Sequence, residues 1–263
     1  MKYFLFTLFL IISFLSDAQI LRIDHKSVGR DSLAGWKGDL ELDFLLNNLK
    51  STADEQINFI GLKFLTNLSY FTSNHQVYSK NELMYFKGQS EEFLNRGFSY
   101  LRINWNRQKQ WHPETVGQVQ FDNIRHLEFR WLAVQYLKWV SRRDEDHEFD
   151  LGVGPMFEHE EWSDFTKENQ RVFKDLVKLS AYVGWYAAFS EKVNLSWYQI
   201  YQVGWDENEQ LWRNRLSSDL QLRDHLSDRI DLIIRFTAAY DAQPIIPVAR
   251  YIYELSNGIV FRF

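Results

Sequence analysis

Apolar and polar residues alternate with a period of two over long stretches of this chain. From 230 to 241 the even positions are apolar or aromatic, whereas the odd positions include Asp231 and Arg235. The segments 36–47 and 211–223 show the same alternation. Because successive side chains of a strand point to opposite faces of its sheet, this pattern predicts strands with one apolar and one polar face.

The same alternation, followed along the whole chain, predicts twelve strands with no helix of ordinary length between them. Their positions are 36–48, 56–71, 75–87, 94–107, 114–125, 127–141, 148–160, 171–187, 191–204, 211–224, 229–241 and 250–263. Such strands are long for a soluble sandwich but suit a tilted crossing of an outer membrane. Since lipid cannot hydrogen-bond an open sheet edge, the sheet must close on itself. We therefore predict an all-β fold, a transmembrane antiparallel up-and-down β-barrel of about twelve strands.

The first eighteen residues have the order of a secretory signal peptide. A charged start precedes the almost wholly apolar segment 3–15, and Ser16 and Ala18 are small residues where a signal peptidase reads. The apolar run is shorter than the ~20 residues of a membrane-spanning helix. We expect cleavage after Ala18, export, a periplasmic segment over 19–35 and a barrel over 36–263.

The composition narrows the class of protein further. Hydrophobic residues make up 45% and charged residues 25% of the chain, which suits a folded protein. The formal net charge of -5 gives no basis for a nucleic-acid partner. Because the sequence has no cysteine, disulfides, thiolate metal sites and a catalytic thiol are excluded. The aromatic share of 17% suits belts of Trp and Tyr at the two membrane interfaces.

The last predicted strand is similar to the C-terminal assembly signal of bacterial outer-membrane proteins. Tyr253, Phe261 and Phe263 lie on one face of it, and Phe263 is the last residue. We therefore expect the barrel-assembly machinery, outer-membrane lipid and lipopolysaccharide as partners. We also expect a monomer located in the outer membrane.

The polar faces of the last strands predict a lumen of paired charges. Inward acidic and basic residues on the first and last three strands balance, unlike the single-sign ring of an ion-selective pore. A hairpin of strands ten and eleven centred on Ser227 gives three facing pairs: Arg223 with Asp231, Asp219 with Arg235, and Arg213 with Asp241. Opposite charges across a ladder contribute about 0.2–1 kcal/mol each, so we predict this register.

Acidic residues also gather at a predicted outer loop between strands seven and eight. They are Glu158, Glu160, Glu161 and Asp164. One interpretation is a Ca²⁺ or Mg²⁺ site shared with lipopolysaccharide, and the other is a loop simply solvated by water. None of the seven histidines has a serine partner at a recognisable spacing. We therefore expect no catalytic residues, no cofactor and no resident metal.

Several short motifs resemble the YdiY-like, salt-stress-induced outer-membrane proteins, a family with a domain of unknown function. They are Gly117–Asp122, Arg130–Ala133, Leu151–Glu160 and Tyr240–Pro244. The similarity extends over roughly 36–263. Related sequences have a glycine-rich run after the arginine, where this chain has Ala133-Val134-Gln135. The resemblance implies an outer-membrane barrel and carries no assigned catalytic residues.

Three hypotheses for function follow. The first is an integral outer-membrane barrel, not an enzyme, with a structural role or passive passage of small solutes. The second is a lipid-directed enzyme, a lipase or lipid A-modifying protein, with a histidine beside Ser, Thr or Asp at one barrel end. The third is a soluble secreted β-sandwich that binds carbohydrate.

Overall fold

The computed structural model describes residues 34–50, 56–87, 93–141 and 146–262. The predicted signal peptide, nearly all of the segment 19–35, and Phe263 lie outside these residues. Among the described residues, no helix is long and apolar enough to cross a membrane.

Twelve strands form one antiparallel sheet. They are β1 (Gly35–Lys50), β2 (Gln56–Phe71), β3 (Gln76–Lys87), β4 (Phe93–Asn104), β5 (Trp111–Asp122), β6 (Leu127–Val140), β7 (His147–Asp164), β8 (Gln170–Ala188), β9 (Val193–Asp206), β10 (Leu211–His225), β11 (Ile230–Asp241) and β12 (Tyr251–Arg262). Each strand pairs with the next, and β1 pairs with β12, so the sheet closes into a barrel. The predicted barrel is confirmed. A single closed sheet is not the pair of sheets that a β-sandwich would have.

The first and last strands close the barrel through a regular antiparallel ladder. Leu40 lies opposite Phe261, and Leu42 lies opposite Ile259. These four side chains are on the outer, apolar face, so the closure keeps the same inside–outside pattern as the rest of the sheet. No open edge remains among the twelve strands, which meets the requirement of a lipid environment.

The barrel is polar inside and apolar outside. The inward side chains of Glu41, Lys63 and Arg96 are fully buried. Outward side chains such as Val177 and Leu137 are exposed by 61% and 51%. In a soluble protein the apolar side chains are inside and the polar ones outside. A barrel surrounded by lipid requires the opposite arrangement, because its outer face contacts lipid and not water.

The barrel has two ends, which differ in how the chain closes them. We call the end where β5 joins β6 and β11 joins β12 the mouth, and the end that carries the start of β1 and the end of β12 the base. A 3₁₀ turn at Asn123–Arg125 makes the tight connection at the mouth between β5 and β6. The longest connection between described strands, 242–250, is also at the mouth.

Candidate functional site

The base half of the lumen is filled by tyrosines from five strands. They are Tyr78, Tyr100, Tyr136, Tyr182 and Tyr198, all buried in one cluster. Ring centroids of Tyr182 lie 4.9 Å from those of both Tyr136 and Tyr198. Aromatic rings at such separations are in packing contact, so they leave no channel between them.

Polar partners contact part of this aromatic cluster on its inner edges. The hydroxyl of Tyr182 donates to Glu114 at 2.9 Å. Nζ of Lys138 lies 3.5 Å from Glu114 and 2.8 Å from Asp150. The Arg102 guanidinium lies over the Tyr78 ring, 4.9 Å from its centroid. Such partners offset the free-energy cost of burying these hydroxyls and charges.

The middle of the lumen is crossed by ion pairs between distant strands. Lys63 of β2 contacts Asp43 at 2.6 Å and Glu254 of β12 at 3.0 Å. Arg96 of β4 also bonds Glu254, which lies four strands away around the barrel. Arg235 of β11 donates to both oxygens of Glu41, at 2.6 and 3.1 Å.

A second network of charges lies in the mouth half. Glu158 of β7 is fully buried between Arg130, Lys178 and Arg215. Arg215 of β10 also donates to Glu160 at 3.0 Å and to Asp241 at 2.9 Å. One guanidinium thereby joins the walls of β7, β10 and β11, and this strut narrows the lumen.

The connection between β11 and β12, residues 242–250, folds inward over the mouth. We call it the mouth loop. Its Ile246 is 1% exposed and packs with Leu127 and Trp162, which belong to β6 and β7 on the other side of the barrel. The side chain of Arg213 donates to the Gln243 carbonyl at 2.5 Å and so fixes the start of the loop. The mouth is therefore closed by an apolar contact across it.

A small cavity remains beneath the mouth loop. It encloses about 20 Å³, and a water molecule needs about 10–15 Å³, so it has room for one or two waters. Charged residues dominate its wall: Arg125, Arg130, Arg215, Arg250, Glu160 and Asp241. Burial lowers the pKa of the Arg125 guanidinium, in the turn between β5 and β6, from its ordinary value.

The predicted register of β10 and β11 is wrong by two residues. Asp231 lies opposite His225, and Arg235 lies opposite Gln221. The amides of Leu226 and Ser227 both donate to the Ile230 carbonyl, at 3.0 Å. Ser227 therefore begins the turn instead of standing at its centre, which moves every pairing along the strand.

Two of the three predicted charge pairs nevertheless form, as diagonal neighbours. Arg223 contacts Asp231 at 3.3 Å, and Arg235 approaches Asp219 at 4.0 Å. Long side chains span a diagonal across two strands, so a slip of two residues does not break these pairs. The third pair is wrong: Arg213 bonds Asp206 at 2.6 Å, and Asp241 bonds Arg215 at 2.9 Å.

The predicted acidic outer loop is also corrected. Strand β7 continues to Asp164, so Glu158 and Glu160 point into the lumen, where cations surround them. Glu161 lies on the outer face beside His159, at 3.3 Å. Asp164 accepts from the amide of Thr166 at 3.0 Å. Among the residues that the structure describes, no group of three or more His, Asp or Glu side chains could hold a metal ion.

Tyr253 and Phe261 lie on the outer face of β12, as the assembly-signal prediction requires. Phe261 is 45% exposed, and the ring of Tyr253 lies 6.1 Å from that of Phe236. Phe263 is outside the described residues, so the role of these residues in assembly stays a prediction.

Sequence reasoning missed the residues that close the lumen, above all Arg96, Arg215 and Ile246. The alternation does indicate that Arg215 points into the lumen, since it lies on the polar face of β10 with Arg213 and Asp219. Ile246 lies in a connection between strands, where the alternation of faces gives no information. Which of the acids Arg96 meets depends on the barrel's closure, not on any local pattern.

The fold is similar to that of solved outer-membrane barrels. An outer-membrane channel from Pseudomonas putida F1 has a TM-score of 0.55 and 11% identity, over 92% of this chain and 100% of that chain. The NanC porin has a TM-score of 0.49 and 12% identity, over 86% and 98% of the two chains. The translocator domain of the autotransporter NalP from Neisseria meningitidis has a TM-score of 0.46 and 8% identity, over 89% and 90%. At these identities the likeness concerns the fold alone.

No curated protein sequence matches this chain at a significant level. A match does exist at the level of families. The sequence from 60 to 245, most of the barrel, matches the family described as "Protein of unknown function, DUF481". The chain therefore belongs to the DUF481 family, the YdiY-like family whose motifs its sequence carries.

Proposed function

We propose that this protein is a sealed outer-membrane barrel whose role is structural, in the cell envelope. One observation carries the proposal: buried ion pairs cross the lumen, and Ile246 closes the mouth. A constitutive pore needs a continuous polar path with weak sites that a solute can leave. Here lumen cations such as Lys63 and Arg215 pair with carboxylates across the barrel, and the cavity beneath the mouth loop has room for only one or two waters.

The experiment compares location, closure and conductance of the full protein. We expect it in the outer-membrane fraction, soluble only with detergent, with a gel mobility that shifts on boiling. In planar bilayers the folded protein is expected to give no steady current. A steady current from the protein without any ligand would overturn the sealed barrel, and a water-soluble protein with no mobility shift would overturn the membrane location.

Passive passage of small solutes is the second candidate, favoured by how the mouth is closed. The mouth is closed by the mouth loop alone, not by a separate domain, and this loop lies directly over the cavity lined by arginines. The solved structure with a similar fold from Pseudomonas putida F1 is described as an outer-membrane channel. In this candidate, a solute passes only after the mouth loop moves away and the lumen pairs rearrange. Conductance that appears on displacing the loop supports it.

We propose that the protein has no enzymatic activity. Two histidines lie beside a carboxylate, as the lipid-enzyme hypothesis requires: His225 at the base bonds Asp231 at 2.5 Å, and His159 on the outer face bonds Asp175 at 2.7 Å. The partners of His159 across the ladders are Trp131 and Asp175, and His225 lies opposite Asp231, so none of these partners offers a hydroxyl nucleophile. Lipid hydrolysis assays on the detergent-solubilised protein test this, with release of fatty acid as the contradicting result.

The remaining proposals concern partners and physiology. The outer-membrane lipid and lipopolysaccharide would contact the apolar outer face, and the barrel-assembly machinery would recognise the last strand. The protein would act as a monomer, and the resemblance to salt-stress-induced proteins suggests that its expression rises in high salt. Light scattering with detergent correction and transcript measurement after a salt shift test these two expectations.

A further inference from the structure

Four arginines follow one another from the surface of the mouth into the lumen. Arg250 is exposed, Arg125 is half-buried, and Arg215 and Arg130 have side chains only 15% and 9% exposed. All four line the cavity beneath the mouth loop, where two carboxylates, of Glu160 and Asp241, face them. The wall of the cavity therefore has an excess of positive charge.

Two of these arginines are already neutralised. Arg130 and Arg215 hold Glu158 and Glu160, and Arg215 also holds Asp241. Arg125 and Arg250 form no ion pair with any described residue. Both carboxylates in the cavity wall are thus engaged by other arginines. The buried carboxylate of Asp122, at the start of the same turn, acts on Arg125 without forming a contact ion pair with it.

Arg125 is the more informative of the two because it is withdrawn from solvent. Its Nε is buried and has no hydrogen-bond partner in the part of the chain that the structure describes. Its guanidinium lies over the ring of Trp162, 5.8 Å from the centroid, so one face is covered by the residue that also contacts Ile246. A buried donor without an acceptor is costly, and a bound anion would supply the acceptor together with a negative charge in direct contact with the guanidinium.

The size of the cavity limits the class of anion. With about 20 Å³ beneath the closed loop, it accommodates an ion no larger than one or two water molecules. A halide fits this description, whereas a phosphate or a carboxylate-bearing solute would need the mouth loop to move. Aromatic and aliphatic side chains on the remaining wall, including Trp162, Leu127 and Ile252, suit a weakly hydrated ion.

We propose that the mouth cavity is a binding site for chloride, held by Arg125 with Arg250 at its entrance. The site does not depend on conductance. Its consequence for transport, a preference for small anions over cations, rests on the proposed passage of small solutes. Rings of arginine and lysine are the usual lining of anion-conducting pores.

Chloride-35 NMR tests the site on the full protein in detergent, exchanged into gluconate and titrated with chloride. We expect excess line broadening from bound chloride in the natural protein. Hydrogen bonds to charged groups are the strong class, so Arg125→Gln should weaken binding about tenfold or more. Arg125→Lys keeps the positive charge but lacks the planar guanidinium with its several donors, so it should bind chloride more tightly than Arg125→Gln and less tightly than the natural protein.

The matched control is Arg171→Gln. Arg171 is exposed at the start of β8, at the same end of the barrel, and its removal changes the net charge equally. It should leave the broadening unchanged. No excess broadening in the natural protein, or an equal loss in both Gln variants, overturns the site. The boiling-dependent mobility shift of each variant checks that the barrel has folded.

A second measurement tests the proposed passage of small anions separately from the chloride site. A barrel whose loop is loosened by Ile246→Ala is placed between unequal potassium chloride solutions, and the reversal potential is read. An anion-selective potential that weakens with Arg125→Gln supports the selectivity, and a cation-selective one overturns it. If the loosened barrel carries no current, the passage fails while the NMR result still decides the site.

Discussion

Arg215 on β10 donates from both terminal nitrogens to one oxygen of Glu160 on β7, at 3.0 and 3.1 Å. The same guanidinium bonds Glu158 and Asp241, so a single side chain ties three walls of the barrel together inside the mouth. Long strands with polar inner faces do not by themselves make a closed lumen. The lumen is closed here because charged side chains pair with one another across the barrel and are not hydrated by water in an open channel.

Glu158→Gln should destabilise the barrel strongly. Glu158 is fully buried and faces three cations, from Arg130, Lys178 and Arg215. Removing one partner from a buried charge network typically costs about 3–5 kcal/mol, because the remaining charges are left uncompensated. Urea unfolding of the barrel in detergent or lipid vesicles, followed by tryptophan fluorescence, measures the change in free energy of unfolding.

The neighbouring Glu161→Gln is the control for this prediction. Glu161 lies half-buried on the outer face of the same strand, where His159 is 3.3 Å from its carboxylate. Partly exposed pairs contribute about 1 kcal/mol or less. Equal losses of stability in the two variants would contradict the view that the lumen network, and not charge in general, supports the barrel.

How far the sequence predicts this structure depends on the range of the interaction. The strands follow from the alternation, since each long segment with an apolar and a polar face can be satisfied only with lipid outside and polar atoms inside. Closure follows from the need to pair every edge. The inward placement of Arg223, Asp231 and Arg235 follows from the same parity, which a register slip of two residues preserves.

The partners of those inward residues could not be predicted in the same way. Arg235 bonds Glu41, which is 194 positions away and meets it only because β1 closes the sheet against β12. Glu158 and Glu160 looked like loop residues because the alternation fades near the end of β7, whereas pairing with β8 extends the strand to Asp164. The mouth loop has no periodic pattern at all, so its inward fold became visible only in three dimensions.

Ile246→Ala should loosen the mouth loop. Ile246 is 1% exposed between Leu127 and Trp162, and truncating a buried isoleucine costs about 2–5 kcal/mol. If that cost falls on the closed position of the loop, the open fraction rises at least about tenfold. In the second candidate function, where the lumen pairs also rearrange, single-channel recording should then show brief openings. Ala249→Ser, at an exposed position of the same loop, is the control and should show no openings. Openings in both variants would contradict the view that Ile246 holds the mouth loop closed.

Gly154→Ala should impair folding of the barrel. A Cβ at Gly154 would lie 1.9 Å from the carbonyl oxygen of Gln135, a backbone atom that cannot rotate away. Forcing extra volume into such a packed site typically costs about 1–3 kcal/mol or more. Gly117→Ala is the matched control, because nothing lies within 4 Å of its added Cβ. The folded fraction, read from the mobility shift on boiling, should fall only for Gly154→Ala.

Paired cysteines should report the register of β10 and β11 directly, since the natural chain contains none. Leu222 lies opposite Ile234, and both side chains face outward, so cysteines at these two positions should cross-link without disturbing the lumen. A disulfide requires Cβ atoms about 3.5–4.5 Å apart, which direct neighbours approach, whereas diagonal neighbours lie about 7–8 Å apart. The diagonal pair at Leu222 and Leu232 should therefore oxidise far more slowly. Faster cross-linking of 222 with 232 than of 222 with 234, on a non-reducing gel, would restore the register centred on Ser227 and overturn the one described here.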